Sequence, residues 1–190
     1  MINLKKNLYQ LIFLALFFIF INNTVHANNI KNSAVVFMYH KFDISKYPST
    51  NITIDQFEDH LLEFSQSKYN VKSLDYIVDT IINDGSLPNN TIGISIDDAD
   101  RSFLTTGWPK FKEKGFPVTL FVTTSTIVKG NKNYLNWDEI RQLKEEGVTI
   151  GSHSHTHAHL ADFTVEEFKK EIEISNKIFL NELGEIPNLF

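Results

Sequence analysis

From residue 34 onward, short apolar runs of β type alternate with longer runs of helical periodicity, and this alternation constrains the chain more than any other feature. Strands are expected at 34–39, 69–72, 92–96, 118–123 and 148–152. A helix is expected to follow Thr53 as N-cap, with Phe57, Leu61, Leu62 and Phe64 at near-helical spacing, and others over 74–82, 101–114, 138–146 and 165–183. Gly115, Gly147 and Gly184 stand where left-handed residues end helices. Strands and helices that alternate at this pace form parallel βα units, so the class is α/β, as a barrel or as an open doubly wound sheet. Both place their chemistry at the C-terminal ends of the strands.

Two of those ends carry unusual residues. The strand Ile94-Ser95-Ile96 runs into Asp97-Asp98-Ala99-Asp100, three acids in four positions. The strand Thr149-Ile150-Gly151-Ser152 runs into His153-Ser154-His155-Thr156-His157-Ala158-His159, which holds four of the chain's seven histidines. Helix capping accounts for one of the three acids and leaves two unexplained. Two neutral imidazoles and one carboxylate can hold a divalent ion with coordination positions open, which brings the pKa of water to about 7, and a second carboxylate can take the proton. Asp97 and Asp98 can serve one site only if the chain turns there, because neighbours on a strand point to opposite faces. The histidines allow two registers, 153/157 and 155/159.

Composition narrows the options. Without cysteine, a metal must sit on His, Asp or Glu, and neither a disulfide framework nor a thiol nucleophile is possible. Eighteen Lys+Arg against 23 Asp+Glu give a charge of −5, which offers no footprint for nucleic acid. Residues 1–27 read as a signal peptide. Lys5 and Lys6 precede eleven apolar residues, too few for the roughly 20 of a membrane span, and Val25-His26-Ala27 resembles a cleavage site. The protein is therefore expected to be exported, to the periplasm or beyond the cell, with no stable membrane span after cleavage. Residues 28–33 are a short linker before a domain over 34–190.

At the two strand ends the sequence resembles the NodB-homology polysaccharide deacetylases, carbohydrate esterase family 4. The family's Thr-Phe-Asp-Asp-Gly is similar to Ser95-Ile96-Asp97-Asp98-Ala99, and its His-Ser/Thr-x-x-His to His153-Ser154-His155-Thr156-His157. Val36-Phe37-Met38-Tyr39-His40, Pro117-Val118-Thr119-Leu120-Phe121-Val122 and Leu160 are similar as well. The resemblance implies a distorted parallel (β/α) barrel and a hydrolase that removes N-acetyl groups from an amino-sugar polysaccharide. The substrate would be of poly-N-acetylglucosamine, peptidoglycan or chitin type. Asp97 would be the general base. Asp98, His153 and His157 would hold one divalent ion, zinc foremost, with Gly151-Ser152 and Leu160 favouring this register. His40 is a candidate for the substrate groove or a structural histidine.

Ala99 stands where the family has Gly, so a left-handed turn there would carry strain at its Cβ. The chain reaches Pro187-Asn188-Leu189-Phe190 where the resemblance leads into a third motif. An incomplete barrel, with the general acid elsewhere, is therefore expected. O-acetyl ester hydrolysis, a glycan-binding module without turnover and an exported metal-binding protein are the alternatives. Trp108 and Trp137 are assigned to helix packing, with sugar stacking as the other option. Arg101 is a candidate anchor for Asp97 or Asp98, and Phe57, Phe64 and Phe168 are assigned to the core.

Overall fold

A computed structural model describes residues 33–190, so the signal peptide expected at 1–27 and most of the linker expected at 28–33 lie outside the described residues. The strands are β1 (Ala34–Tyr39), β2 (Lys41–Phe42), β3 (Asn51–Ile52), β4 (Asn70–Val71), β5 (Thr91–Ile96), β6 (Thr119–Val122) and β7 (Thr149–Ser152). The helices are α1 (Ile54–Phe64), α2 (Leu74–Ile82), α3 (Trp108–Lys114), α4 (Thr124–Val128), α5 (Trp137–Glu145) and α6 (Val165–Leu183). Every strand pairing is parallel. The main path runs β1-β5-β6-β7, with β4 on the first residues of β5, and β2 and β3 form a separate pair. The result is an α/β fold around a parallel sheet, with no closed barrel among the described residues.

Local chemistry explains the helices. Thr53 with Gln56, Asn136 with Glu139, and Thr164 with Glu167 form capping boxes at the starts of α1, α5 and α6. Phe57, Leu61 and Phe64 give α1 one buried stripe, and left-handed Gly115 and Gly184 end α3 and α6. Just before α3 the helix widens to a π turn over Phe103–Gly107. Short strands and helices that lack such signals, β2, β3 and α4, were not expected from the sequence.

The core corrects two assignments and supports others. All six residues of β5 are buried, between β1 and β6. Trp108 is buried and donates from Nε1 to Glu146 Oε2 at 2.6 Å, while Trp137 meets Phe179 edge to face. Both tryptophans thus serve packing. Phe57 and Phe64 are buried, but Phe168 is 42% exposed, because the buried stripe of α6 is Glu171, Ser175 and Phe179 and begins one turn later. Arg101 does not anchor Asp97 or Asp98. Its guanidinium is committed to Glu139 and to the carbonyls of Lys132 and Tyr134. At the other end of the sheet, the Ser152 amide donates to the Leu189 carbonyl, so the last residues of the chain lie against β7.

Candidate metal centre

The first half of the site is a tight turn. The Asp97 amide donates to the Tyr39 carbonyl at 2.8 Å and extends the β1–β5 ladder by one residue. The next two residues enter the left-handed region, Asp98 at φ 69° and Ala99 at φ 58°. That reversal brings two adjacent carboxylates to one place, which a continuing strand would forbid. Asp97 Oδ2 and Asp98 Oδ1 lie 3.9 and 3.8 Å from the same atom, His153 Nε2. Asp100 turns away and accepts from the Ser102 amide and hydroxyl, so it is the one acid of the three that acts as a cap.

The second half follows β7. The His153 amide donates to the Val122 carbonyl, and the chain then takes left-handed turns at Ser154 (φ 64°) and His157 (φ 59°). Ser154 Oγ accepts from the His157 amide at 3.1 Å, closing the loop on itself. His153 and His157 consequently face each other with ring centroids 4.7 Å apart, and His157 Nε2 lies 3.4 Å from Asp98 Oδ1. His155 instead shares a hydrogen bond with Thr124 Oγ1 at 2.9 Å, and His159 pairs with Asp162 on the surface. Of the two registers, only 153/157 converges on the acids.

Asp98, His153 and His157 each offer one donor atom, and these atoms lie within 4.8 Å of one another. A tetrahedral ion with bonds of about 2.0–2.1 Å sets its donors about 3.4 Å apart, so the donor set and spacing fit a divalent metal such as zinc. Asp97 lies beside this trio rather than in it. Burial raises the Asp97 carboxyl above the ordinary aspartate range, although His153 and His40 oppose the shift. Burial also lowers the His153 imidazole, against the pull of Asp97, which favours the neutral ring that a metal requires. His40 Nε2 stands 4.0 Å from Asp97 Oδ2, so His40 borders the base.

Two supporting residues escaped the sequence reading. Glu171 on α6 is 6% exposed, and its Oε1 accepts from the His155 amide, the Thr156 amide and the Thr156 hydroxyl. It thereby pins the loop between the two candidate ligands. Burial would raise its carboxyl, but hydrogen bonds from Thr156, Ser154 and His155 outweigh burial and hold it below the usual range. The available signal was its place on the buried stripe four residues before Ser175. Phe121 is the other. Its ring lies across Gly151, where a Cβ would come within 2.4 Å of Phe121 Cδ1, and reaches the His153 ring at 6.4 Å.

The family described as Polysaccharide deacetylase matches residues 84–190, which include both halves of the site. YxkH of Bacillus subtilis (strain 168) is 24% identical over 146 residues, 77% of this chain and 51% of YxkH, so the chain spans about half the length of that curated relative. Among solved structures, the Streptococcus pyogenes deacetylase PplD in complex with acetate is similar with a TM-score of 0.72 and 17% identity, over 83% of this chain and 71% of PplD. A de-N-acetylase from Aggregatibacter actinomycetemcomitans (TM-score 0.68, 18% identity) covers 81% of this chain and 76% of its own. IcaB from Ammonifex degensii (0.68, 18%) covers 82% and 72%. At these identities the structures speak for a shared fold.

Proposed function

Since the chain belongs to the polysaccharide deacetylase family, we propose that it hydrolyses N-acetyl groups on an exported amino-sugar polysaccharide, of poly-N-acetylglucosamine, peptidoglycan or chitin type. The observation that carries the reading is the convergence of Asp98 Oδ1, His153 Nε2 and His157 Nε2, with the Asp97 carboxylate next to them. Asp98, His153 and His157 would hold the ion. When bound, a divalent ion supplies Lewis-acid polarisation and lowers the pKa of water towards neutrality.

The chain's own residues supply the rest. Asp97 Oδ2 accepts the proton of the attacking water, and its burial makes it a stronger base than an exposed aspartate. His40 and His153, 4.0 and 3.9 Å from that oxygen, flank the carboxylate. Glu171 fixes the loop that carries His153 and His157. Alanine at position 99 takes the left-handed turn that Gly would take in the family, and Asp98 still reaches His157, which favours an active site over a binding module without turnover. Cleavage of the signal peptide expected over residues 1–27 would place the protein outside the cytoplasm, where such polymers lie.

The test supplies the chain with zinc and N-acetylglucosamine oligomers, and reads acetate release and zinc content in the wild type and in Asp97→Asn. Release that drops by about 10² or more in the variant, at unchanged zinc, supports the reading. An Asp97→Asn variant as active as the wild type would sink it.

A further inference from the structure

A cleft of about 640 Å³ runs beside the turn that carries the acids, walled by residues 41–44, 46–47, 100–102, 105–106 and 131–134. It shares structure with that turn. Asp100 pairs with Tyr134 in a β-bridge, and the Leu135 amide donates to the Ala99 carbonyl. The field of the site also reaches the wall, since burial first, and then the Asp98 and Asp100 charges, push the Tyr134 hydroxyl up.

The charge of the cleft is unlike that of the chain. Lys41 on β2 is only 9% exposed, yet among the described residues it has no carboxylate within ion-pair distance. Its stem is packed into the fold while the residue lines the open cleft. What Lys41 has is the Tyr47 ring, 5.3 Å away, and Lys46 stands at the same distance from that ring. Lys132, on the facing segment, also has no carboxylate partner among the described residues. On the acidic side, Asp100 is committed to Ser102, which leaves Asp43 against three ammonium groups. A chain of net charge −5 has thus gathered cations, with two tyrosines beside them, next to its candidate site.

We propose that this cleft is the subsite for an anionic substituent, carboxylate or phosphate, carried by the glycan one or two sugars away from the residue being deacetylated. The inference rests on the deacetylase reading. The anion meets the Lys41 and Lys46 ammonium groups, and the Tyr134 ring takes a sugar ring that leads to it. Lys41 is bound into the fold beside His40, so it would register the anion against the base.

The experiment measures binding of three tetrasaccharides to the full chain with zinc supplied. One is neutral N-acetylglucosamine tetramer, one alternates N-acetylglucosamine with carboxylate-bearing N-acetylmuramic acid, and one is the tetramer phosphorylated at O6. At low salt, at least one anionic oligomer is expected to bind about tenfold tighter than the neutral one, and the preference should shrink as salt rises. The stronger arm identifies the anion's source. The preference should fall in Lys41→Met and, should that buried variant fail to fold, in the surface double variant Lys46→Ala/Lys132→Ala. Equal binding of all three oligomers, or a preference untouched by these substitutions, overturns the proposal. Acetate release is read in parallel, so the two readings fail separately. An anionic preference with acetate release unchanged in Asp97→Asn sinks the deacetylase reading alone, and release lost in that variant with equal binding of the oligomers sinks the subsite alone.

Discussion

His157 Nε2 lies 3.4 Å from Asp98 Oδ1, although the two residues follow different strands and both have left-handed backbones. Each is delivered by a turn that reverses the chain just past a strand end, Asp98 after β5 and His157 after β7. The candidate site therefore depends on two backbone conformations that most residues avoid.

Metal content should follow this pairing. His157→Ala is expected to lose its zinc on dialysis while His159→Ala retains about one ion per chain, because two protein ligands rarely hold such an ion tightly. Elemental analysis of the purified variants checks it. Zinc lost from His159→Ala and kept in His157→Ala would show that the other histidine register binds.

Glu171→Gln should destabilise the fold at pH 7 by about 1–3 kcal/mol, since it weakens the acceptor for three part-buried hydrogen bonds. The folded-state carboxyl is held low, so the stability it adds is present above the ordinary glutamate value of about 4.3 and is lost as pH falls through the folded value. Thermal melts from pH 7 down to pH 3 should therefore show the gap between wild type and variant closing on the acid side. Zinc affinity should drop by about tenfold or more at pH 7, as expected when an orienting residue is lost. A gap that widens towards acid would contradict the role assigned to this carboxylate.

Position 99 separates two opposing costs. Alanine at φ 58° gives up about 1–2 kcal/mol that glycine would not, while its buried methyl contributes about 0.8 kcal/mol. Ala99→Gly should thus change stability by less than about 1 kcal/mol. Ala99→Val forces a β-branched side chain into the same conformation in a fully buried place, and should cost about 3 kcal/mol or more. Denaturant midpoints of the two variants decide, and similar values for both would mean that the turn relaxes.

Gly151→Ala tests the route from the sheet to the site. The new methyl must displace the Phe121 ring, which leans on His153, so a loss of about 1–3 kcal/mol is expected together with weaker zinc binding. The double variant Gly151→Ala/Phe121→Leu should recover part of both by making room. Zinc titration and melting of the pair provide the measurement, and failure to recover either would place the fault elsewhere.

By itself the sequence determined the α/β class, most element positions and the two strand ends that carry the site. These are local properties. Capping pairs such as Thr164 with Glu167, C-terminal glycines such as Gly184, and an apolar strand such as β5 all signal within a few residues. The sequence also placed Asp97, Asp98 and the histidine tract at strand ends on one side of the sheet, because a parallel sheet puts all such ends together; the structure sets β6 between those two strands. Only the tertiary structure decided the strand order β1-β5-β6-β7, in which pairing joins segments far apart in the chain. It also brings only one of the two histidine pairs, 153/157, to the acids. Both have the same spacing, and the difference lies in left-handed Ser154 and His157 and in Glu171 reaching across from α6. A glutamate in a charged helix and a lysine after His40 look like surface residues until burial shows one holding a loop and the other facing a cleft. Burial and long-range pairing sum over the whole chain, and no short window of sequence contains them.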